Sequence, residues 1–331
     1  MPVPQNIVIR QLDLELNGGC NYSCPMCPQA DGREKDFLKK LPPDVFEKIL
    51  NDAAQYGLDT VSLHGSGEPT LNRDMADYVA RVKAKGVRCI SFTNAFRLDE
   101  VMARSLIESG LDVLRVSANG FDRDSYRHWM SMDAFEQVRD NVRRFIALNR
   151  DMGGKTEVHL YHLVTDVERK DEEIELYRRN WIEPTGALSE IWLMHNWAGS
   201  DIELNYHRES MIATRAVRRS CGRPFSPLLQ VRAGGLDGHH GAVVACCMVL
   251  GKDSEAVLGH LDTQNIAEVV RGTAYESLRA AHRSGRFDAV PYCAGCDQLY
   301  DVSESLVWSN TPGRSYGQSK IVPSLDHRAF S

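Results

Sequence analysis

Strand-like runs alternate with amphipathic helical stretches over residues 1–195, and this alternation constrains the fold more than any other feature of the chain. The predicted strands are rich in Val, Ile and Leu, as parallel strands covered on both faces should be. They span residues 7–16, 59–64, 87–94, 112–118, 156–164 and 190–195. Several of the helical stretches between them end at a Gly suited to a helix C-cap, such as Gly57. Repeated units of this kind imply right-handed crossovers, so the sequence predicts an α/β chain with a partial, TIM-like (β/α)6 barrel.

The pattern changes after residue 195. Residues 196–210 are irregular and polar, and strand-like runs at 226–232 and 242–249 precede a helix at about 273–284. We therefore predict a barrel over residues 1–195, a smaller α+β domain over 196–308 and a polar tail over 309–331.

Composition and charge exclude several classes of protein. A chain of 331 residues that is 43% hydrophobic can bury a sizeable core, and a net charge of −6 without a dense basic run argues against tight nucleic-acid binding. The N-terminus lacks the features of a signal peptide, and the most apolar window, residues 241–251, is too short to cross a membrane. We expect a cytoplasmic protein, in which nine reduced cysteines favour metal ligands or reactive thiols over disulfides.

Three cysteines lie close together in "NGGCNYSCPMCPQA", directly after the first predicted strand, where the working loops of parallel sheets lie. A disulfide would leave one of Cys20, Cys24 and Cys27 unpaired. A tetrahedral zinc site needs a fourth ligand, and the next cysteine is Cys89. Three thiolates can instead hold three corners of a cubane iron–sulfur cluster and leave its fourth iron open.

This loop resembles the Cys-x3-Cys-x2-Cys signature of radical S-adenosylmethionine (SAM) enzymes. The resemblance implies that the three cysteines bind a [4Fe–4S] cluster whose open iron binds SAM. It also implies that the backbone at Met26 meets the adenine, although the family often has an aromatic residue at that position.

Three further stretches, each after a successive predicted strand, extend the resemblance. "HGSGEP" (64–69) is similar to the family's Gly-Gly-Glu-Pro motif, with Ser66 in place of the first Gly. The resemblance places Gly67 and Glu68 along the methionyl amino group of SAM, which Glu68 can neutralise. Alone, Glu68 would be interpreted as a solvated loop carboxylate.

"FTNAF" and "RVSANG" are the other two stretches. By resemblance, Thr93 and Asn94 line the cofactor and Ser117 lies near its ribose or carboxylate. Ser117 alone would indicate only a turn residue, so the prediction depends on the co-occurrence of these stretches.

A second cysteine group lies in the predicted smaller domain. Cys293 and Cys296 form "CAGC", a spacing that chelates metal well, and Gly241 precedes Cys246 in a Gly-x4-Cys pattern. With Cys221 upstream, the set resembles the short twitch form of the SPASM domain. The resemblance implies that Cys221, Cys246, Cys293 and Cys296 hold one auxiliary [4Fe–4S] cluster. A zinc site built from the same four cysteines is the alternative.

Cys247 is left over beside Cys246, and two interpretations stay open. It is either a small buried hydrophobic residue or a hydrogen-atom donor of the kind that radical epimerases need.

The resemblance implies reductive cleavage of SAM to a 5′-deoxyadenosyl radical, which abstracts a hydrogen atom from an unactivated carbon. In length and twitch pattern the chain resembles dehydrogenases and epimerases of sugars or aminocyclitols, so a small polar substrate is expected. The electron would come from a reductant such as flavodoxin or ferredoxin, and no membrane partner is expected. Because the first predicted strand begins near residue 7, no preceding peptide-recognition domain is expected. The alternatives are a maturase that modifies a peptide or protein, an RNA-modifying enzyme and a non-catalytic zinc-binding protein.

Overall fold

The computed structural model describes residues 7–29, 39–199, 218–249, 254–299 and 306–312. The described part contains ten strands, all in one sheet. They are β1 Gln11–Leu14, β2 Thr60–Leu63, β3 Arg88–Thr93, β4 Val113–Ser117, β5 Glu157–Val164, β6 Leu188–Leu193, β7 Leu228–Gly234, β8 His240–Val244, β9 Val257–His260 and β10 Leu306–Ser309.

Helices follow most of the parallel strands. The longer ones are α1 Pro43–Ala54, α2 Met75–Ala84, α3 Glu100–Glu108, α4 Arg123–Met130, α5 Phe135–Asp151, α6 Lys170–Tyr177, α7 Ile266–Val270 and α8 Thr273–Arg283. A π-helical turn (Arg178–Ile182) and a single α-turn (Glu183–Thr185) continue α6, and a short helix spans Pro291–Ala294. The start of α4 is fixed by a reciprocal capping box between Asp122 and Ser125.

The sheet order is β10-β6-β5-β4-β3-β2-β1-β7-β8-β9. Strands β1 to β6 are parallel to one another in consecutive order, each pair joined through helical connections. This arrangement confirms the predicted α/β class and the partial (β/α)6 barrel. Strand β7 joins β1 in parallel, and β8, β9 and β10 are antiparallel additions at the two edges.

The two faces of the barrel sheet differ in polarity. One face contributes apolar residues such as Leu12, Val61 and Leu114, which are fully buried in the cluster that also contains the inner faces of the helices. Full burial of each such side chain stabilises the fold by about 1.5–3 kcal/mol. Successive strand residues point to opposite faces, so the alternate residues face the concave side, called the lumen below.

The observed elements differ from the predicted ones mainly at their ends. Strand β8 ends at Val244, whereas the sequence predicted a strand to residue 249, because the chain turns at Cys247 and Met248. Strands β9 and β10 were not predicted. Strands β7 to β9 continue the barrel sheet rather than form a separate one in the described ranges, and the domain boundaries at 195 and 308 remain predictions. Most of the predicted irregular stretch 196–210 and tail 309–331 lies outside the described residues.

None of the helices described in this chain is long and apolar enough to cross a membrane.

Candidate active site

The three-cysteine loop leaves the carboxyl end of β1 and is shaped by its own backbone. Gly18 N donates to Lys39 O at 2.9 Å, and Asn17 Nδ2 donates to Gly19 O at 2.8 Å. Within the loop, Cys27 N donates to Cys24 O at 2.9 Å. These bonds curl the loop so that its thiols share one end of the barrel.

The thiols are near enough to affect one another's ionisation. Burial raises the pKa of the Cys24 thiol, and the charges of Cys27 and Cys20 raise it further. Burial likewise raises the pKa of Cys27. Without metal the thiols are therefore neutral near pH 7, and binding of iron must displace their protons.

Glu68 connects the segment that follows β2 to the end of β3 through hydrogen bonds. Its Oε1 accepts hydrogen bonds from Thr70 N at 3.1 Å, Thr70 Oγ1 at 2.6 Å and Thr93 Oγ1 at 2.6 Å. Its Oε2 accepts one from Asn94 N at 2.7 Å. Burial raises the pKa of this carboxyl group, and these hydrogen bonds act in the opposite direction. A carboxylate has about four acceptor positions, so Oε2 can accept a further donor.

The other predicted cofactor residues lie around this carboxylate and the loop. Asn94 Nδ2 donates to Asn21 Oδ1 at 2.9 Å, which joins the third strand to the cysteine loop. Asn21 Nδ2 is buried and has no hydrogen-bond partner within the described structure. Met26 is buried, and Ser117 lies half-buried at the end of β4, on the lumen side. The unsatisfied amide beside the thiols fits a site that takes a polar ligand.

A second carboxylate, Glu15, holds the turn that precedes Glu68. It accepts hydrogen bonds from Ser66 N, from Ser66 Oγ at 2.6 Å and from Ala233 N at 3.0 Å. A Cβ on Gly67 would lie 1.8 Å from the carbonyl oxygen of Asn17, so the turn can approach the cysteine loop only with glycine there.

Arg232 of β7 connects Glu15 to the second cysteine group. Its Nη1 lies 3.9 Å from Glu15 Oε2, and both side chains are almost fully buried. Its Nη2 donates to Val249 O at 2.9 Å and approaches Cys247 O at 3.4 Å. One guanidinium therefore contacts the carboxylate beneath the Ser66 turn and the loop that carries Cys246 and Cys247.

Polar side chains line the lumen face of the barrel. In the sheet order β6-β5-β4-β3-β2-β1-β7, every strand except β3 contributes at least one of these side chains, from the strand itself or from the residue after it. They are Asp13, Glu15, Ser62, His64, Arg115, Tyr161, Glu190, Gln230 and Arg232. They are in contact across the strands. The Arg115 guanidinium lies 5.2 Å from the centroid of Phe92 and 5.4 Å from that of Tyr161, whose hydroxyl donates to Glu190 at 2.6 Å.

His64 lies at the edge of this lumen, directly before the turn held by Glu15. Its Nδ1 is 2.9 Å from Ser62 Oγ and its Nε2 is 3.8 Å from Asp13 Oδ2. Burial lowers the pKa of His64 from its usual 6.5, with Asp13 opposing the shift and Arg232 and Arg115 adding to it. The imidazole is therefore neutral near pH 7.

Several lumen atoms have unmet hydrogen-bonding capacity. Arg115 Nε, Trp192 Nε1 and Gln230 Oε1 are buried and have no partner among the described residues. Buried polar atoms in native proteins are nearly always paired, so three such atoms on one concave face indicate a polar ligand there.

The four cysteines of the second group line a single pocket: Cys221, Cys246, Cys293 and Cys296. The pocket walls also include Tyr292, Leu278 and His282, whose Nε2 lies 3.6 Å from Cys293 Sγ. In the ranges described, no three side chains of His, Cys, Asp or Glu converge on a single-ion site. A cubane differs from a single ion because each cysteine binds its own iron.

Hydrogen bonds also connect this pocket to the segment that follows β6. Asn196 N donates to Asp297 Oδ2 at 2.8 Å, and Asp297 N donates to Asn196 Oδ1 at 3.1 Å. Asn196 Nδ2 further donates to Gly295 O at 2.8 Å, within the "CAGC" stretch. The barrel end and the second cysteine group are thereby held in contact.

Comparison with known protein families identifies the type of two domains in this chain. The sequence profile of the radical SAM superfamily matches residues 14–174. That match covers the cysteine loop, the Glu68 turn and the ends of β3 and β4. This chain contains a radical SAM domain. The profile of SPASM, an iron–sulfur cluster-binding domain, matches residues 238–297, which confirms the predicted second domain type and favours iron–sulfur over the zinc alternative.

The curated relatives resemble only part of this chain. A probable GTP 3′,8-cyclase of Metallosphaera sedula is 30% identical over 136 residues, which are 41% of this chain and 42% of that protein. A probable GTP 3′,8-cyclase of Thermoplasma volcanium is 32% identical over 130 residues, 39% of each chain. The chain therefore spans less than half the length of these relatives.

Solved structures resemble the fold over most of the chain. BtrN in complex with AdoMet and 2-DOIA has a TM-score of 0.59 at 18% identity and covers 92% of this chain and 100% of BtrN. Streptococcus suis SuiB bound to precursor peptide SuiA has a TM-score of 0.59 at 14% identity, over 83% of this chain and 67% of SuiB. At these identities the likeness shows the fold alone.

The predicted cofactors, [4Fe–4S] clusters and SAM, are confirmed for the two domains by these matches. The residues that hold them remain proposals: Cys20, Cys24 and Cys27 for the first cluster and the four pocket cysteines for the auxiliary one. The donor sets fit, because both sites offer thiols and the first also offers the unsatisfied amide of Asn21.

Sequence reasoning missed the lumen residues. Polar residues recur at every second position within buried, otherwise apolar strands, as with Asp13 and Glu15 in β1 and Gln230 and Arg232 in β7. That period-two pattern of polar residues was a signal that could have located the lumen.

Proposed function

We propose that this radical SAM protein oxidises or epimerises a small polar, carbohydrate-like or aminocyclitol substrate held in the barrel lumen. The observation that carries the proposal is the set of unsatisfied polar atoms on the lumen face beside the Glu68 turn, including Arg115 Nε and Trp192 Nε1. Hydroxyl and amine groups of such a substrate would satisfy them, and Phe92 and Tyr161 offer apolar faces for a ring.

When bound, SAM and a cluster held by Cys20, Cys24 and Cys27 would supply the radical chemistry that removes a hydrogen atom from a substrate carbon. An auxiliary cluster held by the four pocket cysteines would supply an acceptor for the electron released on oxidation. The chain's own share is to hold the substrate and to exclude water. Oxidation of an alcohol to a ketone also releases the hydroxyl proton, which a group in the lumen must accept.

His64 is suited to accept that proton. If Nδ1–H is donated to Ser62, Nε2 carries the lone pair, and the imidazolium that forms then faces Asp13. The positive charges of Arg115 and Arg232 destabilise the imidazolium form of His64, so His64 releases the proton readily. This is the arrangement expected of a general base with a lowered pKa.

We expect His64→Gln to reduce turnover roughly 10²-fold while leaving SAM binding unchanged, since a positioned base contributes at least that factor. In the wild-type protein the lowered pKa keeps His64 neutral through pH 7, so turnover should fall only as the pH drops below the usual value of 6.5. The measurement is the pH profile of turnover in both proteins. The matched control is His128→Gln, because His128 is exposed. If turnover of His64→Gln falls at low pH as it does in the wild-type protein, a group other than His64 is responsible for that fall.

A variant of Cys247 can distinguish the two proposed reactions, epimerisation and oxidation. A thiol that returns a hydrogen atom to the opposite face of the substrate radical gives an epimer and a thiyl radical, which an electron from the reductant and a proton from solvent convert back to the thiol. Loss of an electron and of the hydroxyl proton from the substrate radical instead gives a ketone. Cys247→Ala should abolish only the first of these reactions. Incorporation of solvent deuterium into the product of the wild-type protein would support the epimerase branch.

The test of the proposed function uses the anaerobically reconstituted full chain with SAM and a chemical reductant. A panel of aminocyclitols and sugars is compared with GTP and with a synthetic peptide mixture, and 5′-deoxyadenosine and products are measured by mass spectrometry. The proposal predicts that an aminocyclitol or sugar raises 5′-deoxyadenosine formation and yields a ketone or an epimer. Stimulation by peptides alone would instead support a maturase.

GTP is the second candidate substrate, because the curated relatives with about 30% identity are probable GTP 3′,8-cyclases. A GTP-dependent product, with no response to sugars or aminocyclitols, would replace the proposed substrate class by that one. Flavodoxin or ferredoxin remains the proposed electron donor.

A further inference from the structure

Arg223 lies two residues after Cys221 and lines the pocket that contains all four cysteines of the second group. Gly222 adopts a left-handed conformation with φ of 79°, and Arg223 then opens a 3-10 turn, Arg223–Phe225. The turn places the arginine within the cysteine pocket rather than along the strand that follows.

Loss of hydration acts to lower the pKa of the Arg223 guanidinium, and the charges that the neighbouring cysteines carry as thiolates raise it. These cysteines are Cys247, Cys246, Cys221 and Cys296. The arginine and the cysteines therefore form one electrostatic unit.

Carboxylates do not balance this charge in the part of the chain described here. The neighbouring Arg218 is paired with Asp288 at 2.7 Å, and Arg283 is paired with Glu276 at 3.7 Å, whereas Arg223 has no such ion pair among the described residues. The Arg223 side chain is partly exposed, and a guanidinium that loses part of its hydration is stabilised by a nearby negative group. Four cysteine thiolates around an iron–sulfur cluster would supply that negative group.

We propose that Arg223 is the counter-charge of the auxiliary cluster and raises its reduction potential. The inference rests on the auxiliary cluster included in the proposed function. Reduction adds one negative charge to a cluster, so a fixed positive charge beside it favours the reduced form. Arg223 thereby makes the cluster a better acceptor for the electron that leaves the substrate.

The test measures the reduction potential of the auxiliary cluster in the full-length chain with Cys20, Cys24 and Cys27 all replaced by alanine. Only the auxiliary cluster should then be present, and its potential can be followed by EPR during a redox titration. Arg223→Met is expected to shift the midpoint to a more negative potential, and Arg223→Lys, which keeps the charge, should shift it less.

Arg283→Met is the matched control. Arg283 lies 5.3 Å from the ring of Phe225 in the same region, but its side chain is 54% exposed and paired with Glu276, so its charge is screened. The potential should not change in this variant.

The possible outcomes separate the inference from the proposed function. A cluster that binds normally in Arg223→Met, with an unchanged or more positive potential, overturns the role of Arg223 alone. A shift of equal size in Arg283→Met would also overturn it, because any arginine would then have the same effect. Absence of iron from the triple-alanine chain overturns the auxiliary cluster itself and the inference with it.

Discussion

Replacement of Cys24 by alanine should abolish the formation of 5′-deoxyadenosine from SAM and remove about half of the iron bound per chain, from about eight atoms to about four. The loop after β1 provides three thiols, and an open iron for SAM requires all three. The auxiliary pocket is built from separate cysteines, so its iron should remain. The measurements are iron and sulfide content after anaerobic reconstitution and 5′-deoxyadenosine by chromatography.

Cys89→Ala is the matched control for this variant. Cys89 is fully buried in β3 among apolar residues, so its loss should affect stability and not iron content. Full iron content and normal SAM cleavage in Cys24→Ala would refute the assignment of the first cluster to this loop.

Replacement of Arg232 by methionine should destabilise the protein by about 3–5 kcal/mol, the cost of leaving a buried charge without its partner. Glu15 would then lack the guanidinium at 3.9 Å, and the carbonyl of Val249 would lose its donor at 2.9 Å. Because Glu15 holds the Ser66 turn, SAM affinity should also decrease. The measurements are the midpoint of thermal unfolding and the dissociation constant of SAM.

A double-mutant cycle distinguishes the ion pair from simple loss of packing. The double variant Glu15→Gln/Arg232→Met should lose less stability than the sum of the two single variants, because neither charge is then left unpaired. Additive losses would show that the two side chains act independently and that Arg232 does not connect the two cysteine groups.

The barrel could be predicted from the sequence because its signals are local. The Val- and Leu-rich runs correspond to β1 to β6, and the cysteine spacing placed Cys20, Cys24 and Cys27 on the loop after β1. The structure also shows why Glu68, Thr93 and Asn94 follow successive strands: one carboxylate joins the ends of β2 and β3 through hydrogen bonds.

The remaining features depend on contacts between residues distant in sequence. Strand β7 pairs with β1 although more than 200 residues separate Asp13 from Gln230, and nothing local in either strand indicates this partner. The same holds for Arg232, whose contacts with Glu15 and Val249 exist only once the sheet is formed. Single charged residues within apolar strands could be noticed, but their partners could not be predicted.

The most direct test of the account is the EPR spectrum of the chemically reduced protein with and without SAM. An open iron held by Cys20, Cys24 and Cys27 predicts that SAM changes the spectrum of the wild-type protein and leaves that of Cys24→Ala unchanged. A spectrum that SAM does not alter, or that it alters equally in the two proteins, would contradict the account.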